Sequence, residues 1–207
     1  LRKCSRKLKN SKRFVLMIDF LTDDVSSLFV IEKLSEKNLN QTFVVDEKFS
    51  EYKDFLYLDA LNYQSLFISQ TYLLIEKETR AVIAYISLAS DTVALNPREK
   101  KKVGLMQIPF LFLPALKITK LAVSSTVADK YKHIGSYLIR FACIKAFNVN
   151  TSFMACRLVS VDADVEHNPN VLEFYSKNGF FPSKNSVYKK KFLNRTKTIG
   201  MWKDCFL

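Results

Sequence analysis

The sequence predicts an α/β fold: a mixed, mostly antiparallel sheet with one parallel βαβ unit at its centre. Three observations carry this. Lys117–Val123 reads as an apolar strand, and Ser152–Ala163 as a second one. Between them a basic turn, Lys130–Ser136, opens a mostly apolar helix over Tyr137–Phe147. Strand, helix, strand at this spacing implies parallel pairing through a right-handed crossover. Upstream, Thr71–Glu76 and Ala81–Ala89 flank the turn Lys77–Arg80 and read as an antiparallel hairpin.

Taken in order, the 207 residues suit one domain preceded by an arm, with 1–27 as the arm and 28–207 as the domain. The first thirteen residues carry seven basic side chains and no acidic one, more than half of the net charge of +12. The apolar run Phe14–Leu21 behind them has the look of a signal peptide. Asp19 interrupts it and no small-residue cleavage site follows, so export is not expected. The arm reads either as a solvated tail or as a nucleic-acid-binding extension. No stretch approaches the roughly 20 apolar residues that span a bilayer, so no membrane partner is expected. Leu28–Leu34 reads as a strand that ends at Ser35–Asn38, and Phe49–Ile68 as a helix by its apolar spacing. Asp91–Val93 follows the hairpin. Asn96–Lys102 reads as an exposed, mobile charged loop. Gln107–Pro114 is apolar between prolines and fits either a pocket wall or a cover for the sheet edge. Ser186–Leu193 and Thr196–Leu207 read as two late strands.

Composition bounds the function. Hydrophobic residues at 48% and aromatics at 13% supply a core and exclude global disorder. A balance this basic favours polyanionic partners or anionic cofactors. Cys4, Cys143, Cys156 and Cys205 lack metal-ligand spacing, and with two histidines no zinc site is expected. Cys143 in the helix and Cys156 in the strand read as core thiols, which implies a reduced, cytoplasmic setting.

The turn before the central helix is the first place where chemistry is readable. A helix that opens at Gly135-Ser136 points unpaired N–H groups and its positive dipole end above the strand, and this is an anion site. Gly135 has no Cβ to hold a phosphate away. Lys130, Lys132 and His133 add positive charge. Alone, the same residues would be an ordinary turn with solvated lysines.

The stretch resembles the GNAT superfamily of acyl-CoA-dependent N-acetyltransferases. Leu121-Ala122-Val123 fits the family's core strand, and Lys130 stands where Arg or Gln is usual. His133 replaces the first glycine of the turn, and Gly135 matches the second small position. Asn168, Val171, Phe174-Tyr175 and Gly179-Phe180 follow the family's tail motif, the more specific half. A non-glycine at His133 can still donate its N–H if its φ is negative. The resemblance implies helices on both faces of the sheet, acetyl-CoA as co-substrate, and direct attack of an amine on the thioester. It implies that Lys130, Lys132, His133, Ile134, Gly135 and Ser136 hold the pyrophosphate. Backbone groups of Leu121, Ala122 and Val123 would orient the thioester, and Asn168 would contact the cofactor. Tyr175 would protonate the leaving thiolate. The bland alternatives are a packed tyrosine whose hydroxyl is satisfied, and an Asn168 that caps the helix at Pro169. A homodimer is in keeping with the family.

No glutamate sits on the core strand to act as general base; Thr119 and Lys120 are there instead. Asp91, Asp162 and Asp164 are candidates by type, each also readable as a solvated loop acid. An α-amine (pKa about 7.7–8.0) is roughly a tenth free base at pH 7, and a lysine amine (about 10.4) well under a thousandth. A site without a strong base therefore suits an α-amine. Ala60–Gln64, Thr71-Tyr72, Ala84-Tyr85, Asp91 and Arg195-Thr196 to Met201 are similar to a bacterial GNAT subgroup with toxins that acetylate aminoacyl-tRNA. The leading reading is an N-acetyltransferase on a small-molecule or peptide amine. The alternatives are the same chemistry on aminoacyl-tRNA, with the arm and Arg98–Lys102 gripping phosphates, or a GNAT-fold module that binds without catalysis.

Overall fold

A computed structural model describes residues 25–127, 130–152, 154–184 and 197–206. The chain opens with a short helix, α1 (Val25–Leu28), and strand β1 (Phe29–Lys33). A 3-10 turn (Glu47–Phe49) leads into α2 (Ser50–Asp54), a π-helical turn (Phe55–Asp59) and α3 (Ala60–Ser65). β2 (Gln70–Glu76) and β3 (Val82–Ala94) form the hairpin. Then come α4 (Pro97–Lys102), β4 (Phe112–Val123), α5 (Ile134–Ser152) and β5 (Leu158–Asp164). α6 (Val171–Lys177), β6 (Phe181–Pro182) and β7 (Thr198–Asp204) close the fold.

Among the described residues the sheet has seven strands in the order β1-β2-β3-β4-β5-β7-β6. Only β4 and β5 pair in parallel, joined by α5, so the central βαβ unit stands as the sequence predicts. Helices cover both faces. On one, Ile134, Leu138, Ile139, Ala142, Cys143 and Ala146 of α5 recur at helical spacing and pack on Leu74, Ala84, Ile86, Ile118, Val159 and Val161. On the other, Phe55, Leu56 and Ala60 pack on Phe43, Leu73, Ile75 and Tyr85. The alternation of Leu73, Leu74 and Ile75 between these two cores is the period of two that a doubly covered strand requires.

Several boundaries differ from expectation. β3 runs on through Asp91-Thr92-Val93 to Ala94 because β4 pairs with it from Phe112 onward. Helix α5 continues to Ser152, and β5 begins at Leu158 rather than Ser152. Asn96–Lys102 is not a mobile loop but contains a capped helix. Asn96 Oδ1 accepts from Arg98 N (3.0 Å) and Glu99 N (3.1 Å), and Glu99 Oε2 accepts from Asn96 N (2.9 Å). This capping box, with Pro97 in the first turn, holds Glu99 and Lys100 inside, and Lys100 Nζ donates to Ile108 O at 2.9 Å. Gln107–Pro114 does not reach the site. Its Leu113 joins Leu95, Val103, Ala115, Leu158 and Trp202 in a third core, while Phe110–Phe112 are exposed. The basic arm through residue 24, the expected strand Ser186–Leu193 and Arg195-Thr196 lie outside the described residues.

Strain shows at one exposed helix end. Phe67, 91% exposed, ends α3 in the left-handed region at φ 58°, with Ile68 N bonding back to Tyr63 O at 2.9 Å. Glycine is the usual residue at such a helix end. Phe67→Gly is expected to stabilise the fold by about 1 kcal/mol, read as a higher urea midpoint at unchanged slope.

Candidate active site

The site is made where β4 and β5 part. β3 pairs with β4 as far as Val123, but β5 pairs with it only from Ala115 to Ile118. A bulge sets the divergence. Ser87 opposes Lys120 and Leu88 opposes Ile118, so Thr119 is the extra residue, and its Oγ1 donates to Ser87 O at 3.1 Å. Beyond Ile118 the edge of β4 that faced β5 is unpaired with it and borders a cavity of about 320 Å³. Leu121, Ala122, Val123, Gly135, Asn168 and Tyr175 all line this cavity.

Tyr175 is 6% exposed, edge-on to Phe174 (5.1 Å between ring centres) and Phe180 (5.3 Å). Among the described residues its hydroxyl has no hydrogen-bond partner, and burial pushes its pKa upward. The helix carrying it ends at Gly179, left-handed at φ 83°, with Phe180 N bonding back to Tyr175 O at 3.0 Å. Asn168 does not cap α6. Its Oδ1 accepts from Asn170 N at 3.1 Å, one turn ahead of the helix, and Asn170 holds the cap position.

The turn before α5 departs from expectation at three residues. His133 has φ 66°, the left-handed region, so the negative φ anticipated for a non-glycine is not adopted. That conformation costs about 1–2 kcal/mol in an L-residue. Gly135 is needed for packing rather than for a positive φ: a Cβ there would lie 2.9 Å from Phe174 Cζ. Lys130 turns away from the cavity, its Nζ 3.1 Å from Glu76 Oε1. Lys132, His133, Ile134 and Ser136 are not on the cavity wall; Lys132 and His133 are exposed and Ile134 is buried in the core.

The acids sort themselves by position. Asp91 accepts from Ser160 Oγ (2.5 Å); Asp162, which also lines the cavity, accepts from Lys117 Nζ (2.6 Å). Asp164, at the end of β5, lines the cavity and is not a solvated loop acid. Its Oδ2 meets Tyr52 Oη (3.2 Å) and His167 Nδ1 (2.9 Å), and its Oδ1 accepts from His167 N (3.2 Å). Burial raises its pKa, but the His167 and Tyr52 bonds outweigh that and the net shift is downward. Tyr52 and His167 were missed in the sequence. No local pattern marks Tyr52, which is 112 positions from Asp164. A second cavity, about 460 Å³, meets the first at Thr119 and Lys120 and carries Glu51, Asp54 and Asp59 on its wall. Among the described residues no histidine, cysteine or acid cluster could hold a metal, and no helix is long and apolar enough to cross a membrane.

No protein-family model and no curated relative matches the sequence. Solved structures do. AtaT complexed with acetyl-methionyl-tRNAfMet superposes with a TM-score of 0.65 at 18% identity, covering 85% of this chain and 94% of that one. A tyrosine-to-phenylalanine mutant of KacT gives 0.63 at 16%, covering 84% and 94%. AtaTR bound with AcCoA gives 0.60 at 16%, covering 86% and 94%. The likeness is one of fold: the seven-stranded mixed sheet with its parted β4 and β5 is the GNAT fold.

Proposed function

We propose that this chain is an acetyl-CoA-dependent N-acetyltransferase whose acceptor is the α-amine of an aminoacyl-tRNA. The observation that carries the reaction is the parting of β4 from β5, which sets an unpaired strand edge on the same cavity as Tyr175, a buried tyrosine whose hydroxyl has no protein partner among the described residues. A thioester laid along Leu121–Val123 takes the place of the missing strand. The pyrophosphate lies at the first turn of α5, whose N–H groups are unpaired. The amine enters from the second cavity and meets the thioester at Thr119. Its nitrogen attacks the carbonyl carbon, the C–S bond breaks, and Tyr175 gives its proton to the departing thiolate. Asp164, hydrogen-bonded to His167, offers the surplus amine proton a way to solvent, from which Tyr175 regains the proton it gave. That weak sink suffices for an α-amine, which is already partly unprotonated at neutral pH.

Two facts favour aminoacyl-tRNA over the small amine ranked first on the sequence. The neighbour AtaT is seen with acetyl-methionyl-tRNAfMet, and the chain is strongly basic. Around α4, Arg98, Lys101 and Lys102 are exposed for phosphate contact, whereas Lys100 is buried and occupied. One observation favours a small or peptide amine instead: Asp54 and Asp59 on the second cavity repel phosphate and attract ammonium, while Glu51 there is paired with Lys120 Nζ at 2.9 Å.

Labelled acetyl-CoA, incubated with total charged tRNA beside a panel of free amines, separates the readings. Label on tRNA is expected, with tRNA binding that weakens steeply as salt rises. Label on free amines alone, with tRNA binding absent at low salt, would replace this reading by the small-amine one. Failure to bind acetyl-CoA at all would leave a GNAT-fold module without catalysis.

A further inference from the structure

We propose that Glu76 is a positioning residue for the cofactor-binding turn: from the end of β2 it holds Lys130 and Tyr131 so that His133 stays left-handed and the first N–H groups of α5 face the pyrophosphate. The inference rests on the reading that this turn binds the pyrophosphate. Glu76 is 9% exposed and lies outside the cavity. Its Oε1 accepts from Tyr131 Oη (2.5 Å) and Lys130 Nζ (3.1 Å), and its Oε2 from Thr79 Oγ1 (2.5 Å). The bonds from Thr79, Tyr131 and Lys130 together hold its pKa down to about 2, so the carboxylate is charged at any working pH.

Tyr131 is fixed from a second side, its ring edge-on to Phe29 at 4.8 Å. Two residues later comes His133 at φ 66°. A strained conformation at a non-glycine persists only where its surroundings impose it. Below His133 the helix does so, with Tyr137 N donating to His133 O at 3.0 Å. Above it, the tether imposed by Glu76 is what the structure provides. Lys130 is thus a strut to the hairpin, and the positive potential that meets the anion comes from the backbone N–H groups.

Free CoA is the probe, titrated calorimetrically into the full chain. Glu76→Ala is expected to weaken CoA binding by about tenfold, while binding of pantetheine, which lacks the pyrophosphate, is unchanged. Adding His133→Gly to Glu76→Ala should restore most of the CoA affinity, because glycine takes a left-handed φ without being held there. A purely structural role for Glu76 would move the melting temperature and neither the CoA-to-pantetheine contrast nor the rescue. Equal CoA affinity in wild type and Glu76→Ala would overturn the inference, and so would a loss that His133→Gly leaves uncorrected. Wild-type protein that binds no CoA would instead sink the reading on which it rests. Should Glu76→Ala fail to fold, Tyr131→Phe keeps the ring against Phe29 and removes only the hydroxyl. It should weaken CoA binding about threefold by the same contrast, and an unchanged affinity there counts against the tether.

Discussion

Tyr175→Phe is expected to lower acetyl transfer by about 10²–10⁴-fold, the range for removing a positioned general acid, at nearly unchanged stability. The stability half follows from the packing. Phenylalanine keeps the ring between Phe174 and Phe180, and the hydroxyl it removes has no partner among the described residues, so nothing is orphaned. The activity half follows from burial. With its pKa pushed upward by desolvation, the phenol stays protonated across the neutral range and so holds a proton to share with the sulfur while the C–S bond breaks. Transfer rate and CoA affinity measured together decide the matter. A loss confined to the rate fits an acid that acts in the transition state. A variant as active as wild type would leave Tyr175 as packing and move the proton to solvent.

What the sequence made legible was whatever lies within one turn or one strand. Phe174-Tyr175 with Gly179-Phe180 is such a case: the spacing of a short helix and the glycine that ends it are local, and Gly179 has the left-handed φ the position needs. The turn before α5 was legible as charge and not as geometry. Lys130 is drawn off by Glu76, 54 positions earlier, and no inspection of residues 130–136 reveals that. The same holds for the Asp164 cluster, since Asp164 meets Tyr52, 112 positions away, only through the packing of α2 against the sheet. Asn96–Lys102 was a different kind of miss. Its capping box is local and readable, but a run of charges drew attention to solvation instead. The parting of β4 and β5 depends on one extra residue, Thr119, which has no local signature in the strand.

Arg157→Ala is expected to destabilise the fold by about 3–5 kcal/mol, the cost of leaving a buried carboxylate without its cation. Asp204 ends β7 with a side chain only 2% exposed, and its Oδ2 takes Arg157 Nη2 at 2.7 Å and Nε at 3.1 Å. By contrast Glu173–Lys177, both partners well over half exposed, should contribute well under 1 kcal/mol. Burial raises the pKa of Asp204; the Phe206 N–H and Arg157 pull it back without cancelling the shift. Removing Arg157 raises it further. A carboxyl with a folded pKa above its unfolded one binds more protons in the folded state, so stability falls as pH rises through that window. The deficit of Arg157→Ala should therefore shrink toward pH 4 and be complete above the folded pKa, as read from urea midpoints at acid and neutral pH. Asp204→Asn in the same chain should recover part of it at neutral pH and little at acid pH. A pH-independent deficit below 1 kcal/mol would mean that water reaches Asp204 and the pair is a surface one. The pair matters beyond stability because β7 alone backs β5 on the side away from β4. If that backing loosens, Val161 to Asp164 lose their distance from Leu121–Val123, and the cavity loses its width.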